Sequence, residues 1–265
     1  MNHLGINKRQ KIIISSILIT ICFLITTQSS NILYRTQLAL GLIAITYLVS
    51  LWALWDEMTK TKAVILLIAP TLFCLSVTSF YFLFKEIRWL TRLPVAVFFG
   101  LSFYILLLTQ NVFNIAAIRN IPLYRAATAA SFIFTIFTCL LLYSVLFAFN
   151  LPFYWNGAIA GFLSFILLLQ MFWTIEMERV SSQILVYALI LGLLIGEGAL
   201  ALSFWNLSPV VKALILSPLV YSLVGISNEQ LRNKINRGVV VEYITAGAVL
   251  FGVIFFITSI NSVFL

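Results

Sequence analysis

Charge is what this sequence has least of. Asp, Glu, Lys and Arg make up 9% of its 265 residues, against about a quarter in an ordinary soluble domain. A globule of this length covers its surface with charged side chains, and 16 basic plus 8 acidic residues are too few for that. A cytosolic enzyme, a disordered regulator and a nucleic-acid-binding domain are therefore excluded. The net charge of +8 does not make nucleic acid a partner, because the basic residues fall in short loops between apolar runs.

Histidine and aspartate occur once each, as His3 and Asp56. No Asp-rich cluster is available to hold magnesium for prenyl transfer, and no HExxH to hold zinc. A histidine-dependent nucleophile would need His3 to fold back into the membrane. Walker and GxGxxG loops are missing, so the chain does not drive itself with ATP. Cys22, Cys74 and Cys139 lie in apolar runs without CxxC spacing. They read as small packing residues rather than a zinc site or a disulfide framework. No metal and no cofactor is expected.

What is there is hydrocarbon: 62% of the residues are hydrophobic and 15% aromatic. A helix crosses the ~30 Å apolar core of a bilayer with ~20 mostly apolar residues. Nine segments qualify or nearly do: Ile12–Thr27, Leu38–Trp55, Ala63–Phe84, Leu93–Ile118, Ala126–Phe149, Phe153–Ile175, Ile184–Phe204, Val210–Ser227 and Val239–Ile260. Backbone groups in lipid must bond within their own segment, and the alternation of a barrel strand is missing, so each is a helix. The expected fold is an all-α polytopic helix bundle, one transmembrane domain over residues 1–265. The first segment, short and preceded by Lys8, Arg9 and Lys11, also describes a signal peptide. Thr26, Thr27, Gln28 and Ser29 make a poor cleavage site, which favours an uncleaved first helix.

Orientation follows from basic residues in short loops. With the N-terminus in the cytoplasm, the inner side carries Lys8, Arg9, Lys11, Lys60, Lys62, Arg119, Arg125, Arg179, Arg232, Lys234 and Arg237. The outer side carries Arg35, Lys85, Arg88, Arg92 and Lys212, so 11 of the 16 basic residues are inside. Nine spans then put the C-terminus outside. Trp52, Trp55, Trp89, Trp155, Trp173 and Trp205 fall near span ends, as an interfacial belt requires. Trp-acidic-basic closes at Trp55–Lys60 and Trp173–Arg179 hint at a parallel repeat, 12–118 against 126–237, followed by a last helix over 239–260. The same close is also what any inner interface selects.

Few polar residues remain to carry chemistry. Glu197, in Gly196-Glu197-Gly198, lies about 20 Å from the inner end of the seventh segment and ~10 Å from the outer. A carboxylate at that depth costs a few kcal/mol unless paired, protonated or hydrated. A tight turn near Asn206–Pro209 places Glu197 opposite Leu216 or Ser217 of the eighth segment. Lys212 is then able to reach back to it, Pro218 frees a carbonyl, and Ser217, Tyr221 and Ser222 add hydroxyls. The group reads as a substrate or ion site, or as a structural tie between two helices. GxxxG pairs at Gly157/Gly161 and Gly192/Gly196 are packing signals. Gln110, Asn111 and Asn114 share a helix face and suit interhelical amide bonds. Two basic clusters suit contact with partners or anionic lipid, or simple interfacial turns: Lys85, Arg88, Trp89 and Arg92 outside, and Arg232, Lys234 and Arg237 inside.

The stretch Asn111-Val-Phe-Asn-Ile-Ala-Ala-Ile-Arg119 through Leu123-Tyr-Arg-Ala-Ala127 resembles an uncharacterised multi-pass membrane family of small-genome, candidate-phylum bacteria. The likeness extends over the middle half of the chain. The resemblance implies a bacterial inner-membrane protein and carries over no catalytic residue. Two function classes follow from the residues. One is a permease-like protein or membrane-complex subunit, whose partners are the bilayer and other membrane subunits or further copies of itself. The other is a small integral-membrane enzyme acting on lipid or polyprenyl carriers, with Asp56, Glu57, Glu176 and Glu178 as its acidic groups.

Overall fold

The computed structural model describes residues 7–28, 32–55, 58–84, 89–116, 123–177 and 180–263. Among these described residues ten α-helices follow one another: α1 (Lys8–Gln28), α2 (Ile32–Leu54), α3 (Lys60–Leu66), α4 (Ile68–Tyr81), α5 (Trp89–Ala116), α6 (Tyr124–Ala148), α7 (Phe153–Glu176), α8 (Ser182–Ser203), α9 (Pro209–Leu231) and α10 (Arg237–Val263). Among the described residues, nine spans are long and apolar enough to cross a membrane, and they fall on the nine expected segments. The third span, Thr61–Tyr81, is made of α3 and α4 together. The hydropathy pattern does not show this break at Leu67, and Pro70 explains it. Proline has no N–H to give the carbonyl one turn back, and its ring crowds that carbonyl.

The chain divides into two compact units, 1–134 and 135–265, with the boundary inside α6. In the first unit, α1, α4, α5 and the start of α6 meet on aromatic rings. Phe23 stacks on Phe99 with centroids 4.6 Å apart, Phe73 meets Phe134 edge-on at 5.5 Å, and Phe99 touches Phe103. All but Phe134 are fully buried. Dispersion and ring geometry do the packing here, since lipid leaves little hydrophobic drive for helices to associate.

Three helix ends in this unit are tied at one place. The Asn114 side-chain amide donates to the Leu54 carbonyl at 3.0 Å, and the Lys62 ammonium donates to the Asn114 carbonyl at 3.1 Å. The last four carbonyls of a helix have no partner within it. Lys62 therefore serves the C-terminus of α5, where the helix dipole also favours a cation. Asn114 does the same for α2. Of the amides expected to bond between helices, Asn114 does so here, and Gln110, about one turn earlier in α5, is buried.

The second unit is built on the α7–α8 hairpin. Ser181 caps α8 by accepting from the Ile184 N–H, and its hydroxyl donates to Glu176. Tyr143 of α6 and Ser164 of α7 share a 2.6 Å hydrogen bond in the core. Asn233, in the left-handed conformation (φ 55°), turns the chain from α9 into α10, a conformation asparagine tolerates better than most residues. Asn236 then caps α10 by accepting from the Val239 N–H. One tryptophan departs from the expected belt. Trp173 is fully buried, whereas Trp52, Trp55, Trp155 and Trp205 are all more than 40% exposed. Trp89 is in α5, but its side chain lies outside the described residues.

Candidate functional site

The two GxxxG pairs face each other across α7 and α8. A Cβ on Gly161 would stand 3.0 Å from the Gly192 carbonyl oxygen. One on Gly196 would stand 2.7 Å from that of Gly157. Added Cβ atoms at Gly192 and Gly196 would stand closer to backbone oxygen than real Cβ atoms do, so those two positions need glycine, and at Gly157 and Gly161 a Cβ would fit only if its neighbours gave way by a few tenths of an ångström. Small residues let the two backbones touch, which is how helices gain contact in lipid. Asn156 closes the same hairpin at its far end by donating to the Leu151 carbonyl and to the Ser203 hydroxyl.

Close packing at the glycines leaves the larger neighbours standing out on either side. They wall a groove of about 360 Å³ between α7 and α8, with Ala158, Phe162 and Phe165 on one side and Leu189, Leu193 and Leu200 on the other. Phe162 and Leu193 are 62% and 60% exposed, so the groove opens at the surface of the second unit. Glu197 lies in this groove and is itself exposed. It sits six residues before the end of α8 at Ser203, about 9 Å along the helix. Among the described residues it has no hydrogen bond and no ion pair.

The polar group expected around Glu197 does not assemble. The Lys212 ammonium rests 5.7 Å from the centre of the Phe147 ring, a cation–π contact with α6. Ser217 donates to the Ala213 carbonyl one turn back in its own helix. Ser222 donates to the Tyr243 carbonyl of α10, and the Tyr221 ring lies 5.4 Å from that of Tyr243. The hairpin depth follows the sequence reading, since Leu216 is opposite this part of α8. The residue it meets, however, is Gly198, whose added Cβ would stand 3.0 Å from a Leu216 methyl. One position along a helix is a turn of about 100°. Gly198 therefore faces α9 and Glu197 faces the groove. The 3–4 spacing of Ala158, Phe162 and Phe165 beside a GxxxG was the sequence signal for that groove. Phe147 had none.

A second groove of about 450 Å³ runs between α8, α9 and α10, lined by Gly198, Pro218, Ser222 and Gly247 among apolar side chains. Gly247 packs on Ser222 and Gly225 on Tyr243. Apart from this seam α10 is exposed along most of its described length.

Of the basic clusters, Arg92 is half-buried near the start of α5, with its Nε enclosed. Lys85 and Arg88 lie outside the described residues. Arg232 caps the end of α9 and is half-buried, and Lys234 and Arg237 are exposed. Among the acidic residues, Glu176 accepts from Ser181, and Asp56, Glu57 and Glu178 lie outside the described residues. Among the described residues no three His, Cys, Asp or Glu side chains come together.

Fold and site together define an all-α, multi-pass membrane protein. The chain belongs to the family described as protein of unknown function (DUF5656), whose profile matches residues 12–257. No curated protein and no solved structure matches the chain.

Proposed function

We propose that the chain is a non-catalytic subunit of a membrane assembly, which works by holding other membrane segments rather than by passing a solute between its helices. One observation carries this reading: Glu197, inside a span, is turned away from the packed helices of its own unit into a groove on that unit's surface. A carboxyl group on a transport path faces the bundle interior or a water-filled cavity. The hydroxyls proposed to join it, on Ser217 and Ser222, are engaged with backbone carbonyls instead. The permease reading retains Pro218 and the second groove in its favour.

In this reading the protein sits in a bacterial inner membrane, N-terminus in the cytoplasm. Lys234 and Arg237 meet anionic headgroups on the inner face, with Arg232 at the same turn. Arg92, with Lys85, Arg88 and Trp89, does so on the outer face. The test is the size of the particle in its own membrane. The tagged chain, extracted into native nanodiscs, is expected in a particle whose protein mass exceeds that of one 29.9 kDa chain. A particle holding one copy and no other protein would refute the subunit reading.

A further inference from the structure

Resting on that reading, we infer that the Glu197 groove seats a transmembrane helix of a different protein, one that carries a single lysine or arginine in the half of its span nearest the α8–α9 turn. The shape of the groove favours a helix. Its walls are Ala158, Phe162 and Phe165 on α7 and Leu189, Leu193 and Leu200 on α8. Steps of three and four residues, completed on α8 by Glu197 between Leu193 and Leu200, are the spacing into which the ridge of a third helix fits. The charge favours a basic residue. Glu197 has no partner among the described residues. Among the described cations of its unit, Lys212 is held on Phe147, and Arg232, Lys234 and Arg237 are at the other end of α9. A carboxylate and an ammonium meeting in the groove would relieve the cost of each in hydrocarbon.

A second copy of the chain fits less well. Two copies seated groove to groove bring two Glu197 carboxylates together, and like charges repel. A lipid tail fills the apolar walls but offers nothing to the carboxylate.

The experiment uses the full chain in phosphatidylcholine vesicles, with a donor fluorophore on a cysteine introduced at Ser208 after Cys22, Cys74 and Cys139 are replaced by alanine. The probes are synthetic Leu/Ala transmembrane peptides bearing an acceptor, with lysine or leucine at the depth of Glu197. Energy transfer is expected to show the lysine peptide binding roughly 3- to 20-fold more tightly, the span of measured polar helix–helix couplings. The preference is expected to vanish in Glu197→Leu. Leu193→Trp, which fills the groove, is expected to weaken both peptides. Equal binding of the two peptides overturns the inference, as does a preference that survives Glu197→Leu or binding unaffected by Leu193→Trp. Self-association of the protein that is lost in Glu197→Leu also overturns it, in favour of a second copy. A multi-protein particle in native membranes alongside equal peptide binding would retain the subunit reading and discard only the lysine-bearing partner.

Discussion

Gly157 and Gly196 meet backbone to backbone: the Gly157 carbonyl oxygen is 2.7 Å from where a Cβ on Gly196 would stand. The atom in the way is main chain, so α7 and α8 must separate to admit even a methyl group. Gly196→Ala is expected to destabilise the protein by about 1–3 kcal/mol, the usual cost of overpacking. Gly41→Ala is the control. Nothing lies within 4 Å of its added Cβ, and alanine is the better helix former by about 1 kcal/mol. Unfolding midpoints in detergent are expected to fall for the first and to hold or rise for the second.

Glu197 contributes nothing to the stability of the isolated chain, because it is exposed and has no partner among the described residues. Glu197→Leu is expected to leave the unfolding midpoint of the purified protein unchanged or higher. A large drop would show that the carboxyl group ties the fold together.

The expected Glu197–Lys212 pair and the observed Lys212–Phe147 contact are separable by double-mutant cycles. Lys212→Met combined with Phe147→Leu is expected to show a coupling of about 0.5–1 kcal/mol, as a cation over a ring does. Lys212→Met combined with Glu197→Gln is expected to be additive within ~0.5 kcal/mol. The opposite pattern would restore the ion pair.

Asn114→Ala removes the donor to the Leu54 carbonyl and takes the tie between α2 and α5 with it. The expected loss is about 0.6–1.7 kcal/mol, the range for interhelical hydrogen bonds in membranes. Lys62→Met, which leaves the Asn114 carbonyl without its ammonium, is expected to cost about 1–3 kcal/mol. Thermal unfolding in one detergent, compared with wild type, reads both.

The spans were legible in the sequence because hydrocarbon imposes one length and one composition on every helix that crosses it. The end of α7 at Glu176 and the start of α9 at Pro209 fall within one residue of the expected Ile175 and Val210. The break at Leu67 was not legible in hydropathy, since Ala63–Phe84 carries no charge and is apolar on both sides of Leu67, and only Pro70 marks it. Glu197 stood out as a deep carboxyl group, but its direction did not. In a soluble helix the apolar face marks the inside. Here lipid and core are both apolar, so the rotation of α8 is set by which glycines touch. The same ambiguity hid Trp173, which a belt position and a core position suit equally. Phe147 could not be singled out among 23 phenylalanines.

The direction of residue 197 can be measured directly. A nitroxide is attached to a cysteine at position 197, in a chain with Cys22, Cys74 and Cys139 replaced and reconstituted alone in vesicles. Its collisions with oxygen, which concentrates in lipid, are compared with those with a water-soluble nickel chelate. Frequent oxygen collisions and rare nickel collisions are expected for a groove open to hydrocarbon. Frequent nickel collisions would put residue 197 on an aqueous path. Protection from both reagents would put it inside the bundle, and either result would contradict the docking groove.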